Sequence, residues 1–295
     1  MTVATGLQLA VNGYDFRAWE PDRVIAVLRD LEVEAYELQF DTQAVSALEF
    51  GRQLVASGIS ICGIYTSSRH ALAGDDPGQA RRIADECLDV AADLGCRTLL
   101  VYLGVDVRLP AAQQIERSKN ALDPLLQRAA RDGVTIAVEN LFDIKGTDSQ
   151  GNGVLRTPEG IGALVDAVPT DNFGVNFDPC NFYIAGLSGV QIAAAYRRLS
   201  ERIKYLHLKD AVRVKRSDRE RWPLGTSVHD DIGGDFEFAA IGDGEVGIAA
   251  VVNAVVQDGF TGYIVVEGMM EPLIDVYRAG LRAVRSYIAA TKTTG

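Results

Sequence analysis

The sequence of 295 residues lacks the features that mark several large classes of protein. It contains only three histidines and four cysteines, and the cysteines form no CxxC pair of the kind that indicates a zinc site or a redox motif. No run approaches the 18 apolar residues of a membrane-spanning helix. The segment Met1–Gly6 has no basic region followed by an apolar stretch, so we expect no secretory signal.

The sequence also has fewer basic than acidic residues, 29 against 40, which gives a formal net charge of −11. Such a surface repels phosphate backbones, so we expect no nucleic-acid partner. We expect no membrane partner either, because no apolar run is long enough to span a bilayer. The chain is otherwise ordinary, with 47% hydrophobic and 23% charged residues and no linker that divides it. We expect one domain over residues 1–295 in a reduced cytoplasm, with buried structural thiols at Cys62, Cys87, Cys96 and Cys180.

Strand-like and helix-like segments alternate along the whole chain. The predicted strands are Gly6–Asn12, Glu34–Phe40, Ile59–Thr66, Thr98–Leu103, Val134–Glu139, Phe173–Asp178, Ile203–Lys209 and Gly262–Glu267. Eight strand-helix units in this order predict a single-domain (β/α)8 TIM barrel. A doubly wound sheet would also alternate, but it gives no reason for metal-type ligands at several successive strand ends. No GxGxxG follows the first strand, which argues against a dinucleotide site.

Four of the predicted strands carry, at or near their C-terminal end, a residue that can bind a divalent cation or carry a proton. They are Glu139, Asp178, His207 and Glu267. In a barrel of parallel strands the C-terminal ends converge on one mouth, where such enzymes do their chemistry. Each residue also has a structural interpretation: an ion pair for the glutamates, a turn before Pro179 for the aspartate, and a satisfied core residue for the histidine. The agreement of all four favours a metal site.

Three carboxylates and one imidazole form an oxygen-rich ligand set, which suits Mn²⁺, Co²⁺ or Mg²⁺ better than structural zinc. We therefore predict one divalent ion, with Mn²⁺ as the first choice. Such an ion polarises a carbonyl and stabilises the enediolate that forms when a neighbouring C–H bond loses its proton. Glu139 and Glu267 would face each other across the mouth, so that one removes a proton and the other returns it.

Several segments resemble the sugar isomerase/epimerase superfamily of xylose isomerase-like barrels. They are AVEN (137–140), NFDPCNFYIAG (176–186), YLHLKD (205–210), IGDGEVGIAAVVNAV (241–255) and GYIVVEG (262–268). The superfamily includes ketose 3-epimerases, hydroxypyruvate isomerases, inosose dehydratases and an AP endonuclease branch. The resemblance begins at the second strand, where Tyr36-Glu37-Leu38 is similar to the family's usual strand end, and it is most specific in the second half of the chain.

The resemblance implies roles for individual positions. Those that match the metal ligands are Glu139, Asp178, His207 and Glu267, with the two glutamates also serving as the acid/base pair. Arg213 matches an arginine that contacts substrate hydroxyls in the epimerase branch, although it also has the character of a surface residue in a basic loop. Asn181 stands where ketose epimerases often carry a substrate-contacting histidine, and this departure weakens a specific ketose epimerase assignment.

Further candidates for substrate contact lie in the loops. His70 follows the third strand and Trp19 belongs to an aromatic group after the first, although both positions are also compatible with ordinary loop residues. The segments Leu141–Arg156 and Ala211–Phe236 exceed the usual length of strand-helix connections. We expect both segments to cover the mouth of the barrel and to select the substrate.

The sequence leaves several functions open. The first is a metal-dependent isomerase or epimerase that acts on a small keto-sugar or polyol derivative. The second is a lyase or dehydratase, either inosose dehydratase-like or acting on keto-glycosides, in which the same enediolate expels a β-substituent. A DNA-repair nuclease would need many histidines and a basic groove, which this composition opposes. A non-catalytic ligand-binding or partner subunit is the remaining alternative, and a homo-oligomer is compatible with the sequence.

Overall fold

Eight strands pair in parallel and close into a barrel in the computed structural model, which describes residues 6–42, 44–142, 153–215, 227–230 and 232–294. The barrel strands are β1 (Leu7–Asn12), β2 (Ala35–Gln39), β3 (Ser60–Tyr65), β4 (Thr98–Val101), β5 (Thr135–Glu139), β6 (Phe173–Phe177), β7 (Ile203–Leu208) and β11 (Gly262–Val266). Neighbours around the barrel follow the order β1-β11-β7-β6-β5-β4-β3-β2, and β2 pairs with β1. The predicted barrel is confirmed.

Helices cover the outside of the barrel. They are α1 (Pro21–Asp30), α2 (Ala47–Ala56), α3 (Pro77–Leu94), α4 (Ala111–Asp132), α5 (Pro158–Ala167), α6 (Pro179–Ile184), α7 (Gly189–Leu199), α8 (Ile248–Gln257) and α9 (Leu273–Thr294). Local sequence sets their ends: the Asp76 side chain caps α3 by accepting from the Gln79 N–H, and Gly95 ends that helix at a φ of 70°. None of the described helices is both long and apolar enough to cross a bilayer.

The barrel interior changes from apolar to polar toward the C-terminal mouth. Its apolar floor is a cluster separate from the larger strand-helix core and consists of Ala10, Ala35, Cys62, Leu100, Ala137, Tyr205 and Val265. Alternate residues of a strand face the same side. Two positions beyond five of these floor residues, the inward side chains are Asn12, Glu37, Glu139, His207 and Glu267. The strand period therefore places a layer of polar groups directly above an apolar floor.

The segment after β7 differs from the irregular insertion that the sequence predicts. Its described part forms a three-stranded antiparallel sheet in the order β8-β10-β9, built from β8 (Asp210–Val214), β9 (Ser227–Asp230) and β10 (Gly234–Ala239). These strands are only four to six residues long, so each gives a weak periodic signal, although β10 does alternate over Asp235, Phe236, Glu237 and Phe238. The short helix α6 was also not predicted. The central parts of both long segments, 143–152 and 216–226, lie outside the described residues.

Candidate metal centre

The residues at the ends of four neighbouring strands meet at the mouth of the barrel. Glu139 ends β5 and His207 lies near the end of β7, while Asp178 and Glu267 directly follow β6 and β11. Ligand atoms of Glu139, Asp178 and His207 all lie within 4.8 Å of one another, close enough to hold one cation. Glu267 borders this group, with its Oε1 3.1 Å from Nδ1 of His207.

The imidazole of His207 has one ring nitrogen that is hydrogen-bonded and one that is not. Nε2 lies 2.7 Å from Oε2 of Glu37, on the opposite side of the barrel interior. Nδ1 is buried and forms no well-directed hydrogen bond among the described residues, although carboxylate oxygens of Glu267 and Glu139 lie 3.1 and 3.4 Å away. A nitrogen directed at two carboxylates is the arrangement expected of a metal ligand, so the residues present fit a divalent cation.

The carboxylate of Asp178 is fixed by the start of helix α6. Its Oδ1 caps the helix by accepting from the backbone N–H groups of Cys180 (2.8 Å) and Asn181 (3.2 Å). The Asn140 side chain clamps the same residue, donating to the carbonyl of Asp178 and accepting from its N–H at 2.8 Å each. The other oxygen, Oδ2, contacts the ammonium group of Lys209 and is directed into the centre.

Lys209 supplies a buried positive charge that the sequence analysis did not assign. Its Nζ donates to Oδ2 of Asp178 and to Oε2 of Glu267 (2.6 Å), and lies 3.8 Å from Oε1 of Glu139. Burial disfavours the charged form, but these three carboxylates hold the pKa of Lys209 well above its usual value. The lysine is therefore a permanent cation beside the predicted ligands.

The pKa shifts of Glu139, Glu267 and His207 also follow from the close packing of charged groups at the centre. Burial raises the pKa of Glu139 and Glu267, but Lys209 and His207 outweigh it and leave both values below the usual range. Burial also disfavours the imidazolium of His207, yet Glu37, Glu267 and Glu139 raise its pKa well above normal. Both glutamates are therefore ionised at neutral pH, and a cation that binds Nδ1 has to displace a proton from it.

Two polar residues at this level carry no functional assignment from the sequence: Glu37 of β2 and Asn12 of β1. Asn12 Nδ2 donates to Oε1 of Glu37 (2.8 Å) and to Oε1 of Glu267 (2.9 Å), so it joins the two carboxylates. The same Glu37 oxygen accepts from Gln39 at 3.2 Å. A carboxylate inside the otherwise buried strand β2 is the signal that could have identified Glu37, by the logic applied to the four predicted ligands.

Asn181, predicted to contact substrate, lies against one of the glutamates. Its amide group donates to Oε1 of Glu139 (2.8 Å) and to the backbone carbonyl of Asn140 (2.9 Å). Its side-chain oxygen is buried and has no hydrogen-bond partner among the described residues. Asn181 therefore helps to orient Glu139, and its contact with substrate stays a prediction.

The other three predicted substrate residues form no described contact with the centre. Arg213 lies on β8, exposed, with its guanidinium 5.0 Å from the centroid of the Phe236 ring. His70 pairs with Asp41 at 3.4 Å in the turn after β3. Trp19 packs its ring under the Arg23 guanidinium at 3.4 Å. Their roles in substrate binding remain predictions.

A cavity of about 530 Å³ lies beside the centre, among the loops that follow β3, β4 and β5. Its walls combine apolar and charged side chains, including Tyr102, Arg117, Phe142 and Leu155. None of the four predicted metal ligands lines it. The cavity therefore adds space next to the centre and does not enclose the predicted ligands.

A closed parallel barrel with acidic and imidazole side chains grouped at its C-terminal mouth defines the class of (β/α)8 TIM barrels with a polar site at that mouth. Within that class, residues 12–287 match the family model of the xylose isomerase-like TIM barrel. The chain belongs to this family, as the resemblance in its sequence predicts.

The curated relatives that the chain matches include an inosose dehydratase from Lacticaseibacillus casei. The two proteins are 27% identical over 177 residues, which is 60% of this chain and 54% of the relative. The chain thus matches about half the length of that enzyme, and the likeness carries no conclusion about activity by itself.

Two solved structures share the fold over almost the whole chain. An L-ribulose 3-epimerase superposes with a TM-score of 0.74 and 16% identity, covering 98% of this chain and 96% of the other. A xylose isomerase-like TIM barrel protein from Mycobacterium smegmatis, solved with magnesium, superposes with a TM-score of 0.72 and 14% identity, covering 96% and 97%. At these identities the likeness shows the fold alone.

Proposed function

We propose that this protein is a divalent-metal-dependent isomerase or epimerase of small keto-sugars or related polyols. The observation that carries the proposal is the pair Glu139 and Glu267, whose carboxylates approach the same ring nitrogen of His207 from two strands, at 3.4 and 3.1 Å. Two carboxylates at one centre can serve a single substrate carbon, one in its ionised form as the proton acceptor and the other, once it has taken a proton from solvent, as the proton donor.

Glu139, Asp178, His207 and Glu267 would hold the cation, which we propose to be Mn²⁺. When bound, the cation polarises the substrate carbonyl and stabilises negative charge on its oxygen. The ligands suit such a hard ion because three of the four are carboxylates. The structure supports a divalent cation in general, and Mn²⁺ in particular is part of the proposal.

The proton moves between the substrate and the two glutamates. One carboxylate takes the proton from the carbon next to the carbonyl, and the bonding electrons form a C=C bond while the carbonyl oxygen becomes negative. Return of a proton to the opposite face of the same carbon gives the epimer. Return of a proton to the neighbouring carbon, with the hydroxyl proton passing from one oxygen of the enediolate to the other, gives the isomer. Glu139 is the better candidate for the first base, because its side chain is 21% exposed whereas that of Glu267 is 10% exposed and held by Asn12 and Lys209.

A second candidate function is a dehydratase or lyase that begins with the same proton removal. After that step the C–O bond at the β-carbon breaks, and the leaving oxygen takes a proton from the acid form of a glutamate. The partial match to an inosose dehydratase and the cavity of about 530 Å³ beside the centre favour this candidate. The cavity offers room for a leaving group larger than water, as in a keto-glycoside.

The experiment is to incubate the protein with Mn²⁺ in D₂O and to offer it ketoses, inososes and keto-glycosides in turn. NMR would follow exchange of the hydrogen next to the carbonyl, together with the products. Exchange with formation of an epimer or isomer supports the first proposal, and loss of water or of the glycoside's alcohol supports the second. No exchange with Mn²⁺, Co²⁺ or Mg²⁺ on any substrate would contradict both.

A further inference from the structure

Glu37 is a fully buried carboxylate that lies next to the predicted metal ligands, and none of its surface is exposed to solvent. It lies on β2, which is three strands away from β7 around the barrel, so its 2.7 Å contact with His207 crosses the barrel interior. Burying a carboxylate is costly unless it is paired and hydrogen-bonded, and Asn12, Gln39 and His207 supply the partners of Glu37. Its position beneath a predicted metal ligand calls for a specific role.

The hydrogen bond between Glu37 and His207 has only one possible donor when the carboxylate is ionised. An ionised carboxylate only accepts, so Nε2 of His207 has to be the donor. In a neutral ring the proton then lies on Nε2, and the lone pair of Nδ1 faces the carboxylates of Glu139 and Glu267. The Glu37 carboxylate is itself held, because its other oxygen accepts from Asn12 and Gln39.

We propose that Glu37 is a positioning residue that selects the His207 tautomer able to bind a cation through Nδ1, and that Asn12 fixes Glu267 in the same network. This proposal rests on one part of the proposed function, namely that a cation binds at this centre. It adds Glu37, which is not one of the predicted ligands. Asn12 extends the network because its amide reaches Glu37 and Glu267 together, at 2.8 and 2.9 Å.

The test compares Glu37→Gln with Glu37→Asp, which keeps an acceptor-only group, and with Leu38→Val. Leu38 is a matched control because it is the next residue on β2 and belongs to the strand-helix core, not to the barrel interior. The probe is Zn²⁺, whose dissociation constant is measured by competition with a chelator. In parallel, ¹⁵N–¹H NMR of the Zn²⁺-saturated proteins reports which ring nitrogen of His207, one of only three histidines in the chain, carries the proton.

We expect Glu37→Gln to weaken Zn²⁺ binding by about 10- to 100-fold, the usual effect of losing the partner of a ligating histidine. The Gln amide can donate to Nε2, so the Nδ1-protonated tautomer should appear in the spectrum of this variant. Glu37→Asp should retain the Nε2-protonated tautomer and lose less affinity. Leu38→Val should bind Zn²⁺ as the wild type does, even where its melting temperature falls.

Wild-type Zn²⁺ affinity and an unchanged tautomer in Glu37→Gln would overturn the inference, as would a wild-type protein that binds no Zn²⁺. Weakened binding in Glu37→Gln, in a protein that turns over none of the offered substrates, would uphold the inference and count against the proposed function. Should Glu37→Gln fail to fold, Asn12→Ala takes its place, with weakened Zn²⁺ binding expected and wild-type affinity overturning the network.

Discussion

At the scale of single residues, the centre contains more negative than positive charge. Four carboxylates, those of Glu37, Glu139, Asp178 and Glu267, lie around two cationic side chains, Lys209 and His207. Burying charges from water is expensive unless opposite charges compensate them. Compensation is incomplete, since burial, with Glu139 and Glu267 adding to it, raises the pKa of Asp178 to about 7 in spite of Lys209. A divalent cation at this place would stabilise the ionised form of Asp178.

The first prediction concerns the two glutamates. Glu139→Gln and Glu267→Gln each keep an oxygen donor but lose the base, so turnover on the identified substrate should fall by at least about 10²-fold. Metal affinity should fall less in the Gln variants than in the Ala variants. Exchange of the substrate hydrogen in D₂O should disappear in at least one of them. A double Gln variant that exchanges this hydrogen at the wild-type rate would show that the base lies elsewhere.

The second prediction concerns Lys209. In Lys209→Met the carboxylates of Asp178 and Glu267 lose their buried partner, so the chelator-treated protein should lose about 3–5 kcal/mol of unfolding free energy. Urea unfolding in the presence and absence of Mn²⁺ measures the effect, and Mn²⁺ should recover part of the loss. Lys204→Met is the control, since Lys204 lies on β7, the strand that directly precedes Lys209, and forms no ion pair with the centre among the described residues. Equal losses in the two variants would contradict the role assigned to Lys209.

At the scale of secondary-structure elements, a buried ion pair joins the two long segments. Arg156, in the 3₁₀ turn before α5, forms two hydrogen bonds of 2.5 and 2.6 Å with Asp230 at the end of β9. Arg156 also donates to the carbonyl of Ala185 after α6. The side chains of the pair are 4% and 0% exposed. The described end of the connection after β5 and the small sheet after β7 are thus joined by a buried ion pair.

The third prediction tests this connection. Arg156→Met removes the positive charge that pairs with the buried Asp230 carboxylate and leaves it the backbone N–H groups of Ile232 and Gly233, so the change should cost about 3–5 kcal/mol of unfolding free energy. A double-mutant cycle with Asp230→Asn should show coupling well above the about 0–1 kcal/mol of an exposed pair such as Arg198 and Glu159. The same variants should change substrate preference and leave Zn²⁺ affinity near wild type. Wild-type preference in both variants would argue against these segments as selectors of substrate.

At the scale of the whole molecule, the predicted ligands come from four neighbouring strands of a closed barrel. β5, β6, β7 and β11 each contribute one ligand, so a bound cation would link about half of the barrel wall. Linkage of this kind converts binding energy into folding stability, because the unfolded chain does not assemble the site.

The fourth prediction is that metal removal destabilises the entire protein. At a free Mn²⁺ concentration of 100 times the dissociation constant, the gain in unfolding free energy should be about 2.7 kcal/mol. Thermal melts after chelation and after Mn²⁺ readdition would measure it. Readdition of Mn²⁺ should raise the melting temperature of Asp178→Asn much less than that of the wild type, since this variant lacks one charged ligand. Identical melting temperatures with and without Mn²⁺, Co²⁺ or Mg²⁺ would exclude a metal centre of useful affinity.

The sequence by itself determined the barrel and the four predicted ligands. Its apolar runs are short and regularly spaced, and in parallel strands the residue that ends each run must lie at the common mouth. His207, for example, follows directly from its place in the run Ile203–Lys209, without any knowledge of its neighbours. The local sequence pattern is enough to place a residue at the mouth wherever its position depends on one strand alone.

Only the tertiary structure decided which side chains touch. The contact between Glu37 and His207 joins residues 170 positions apart, and the bridge from Asn12 to Glu267 spans 255. The Arg156–Asp230 pair and the small sheet likewise depend on segments that are distant in the chain. No periodicity along one strand encodes such partners, because barrel closure brings them together and burial then makes their hydrogen bonds obligatory.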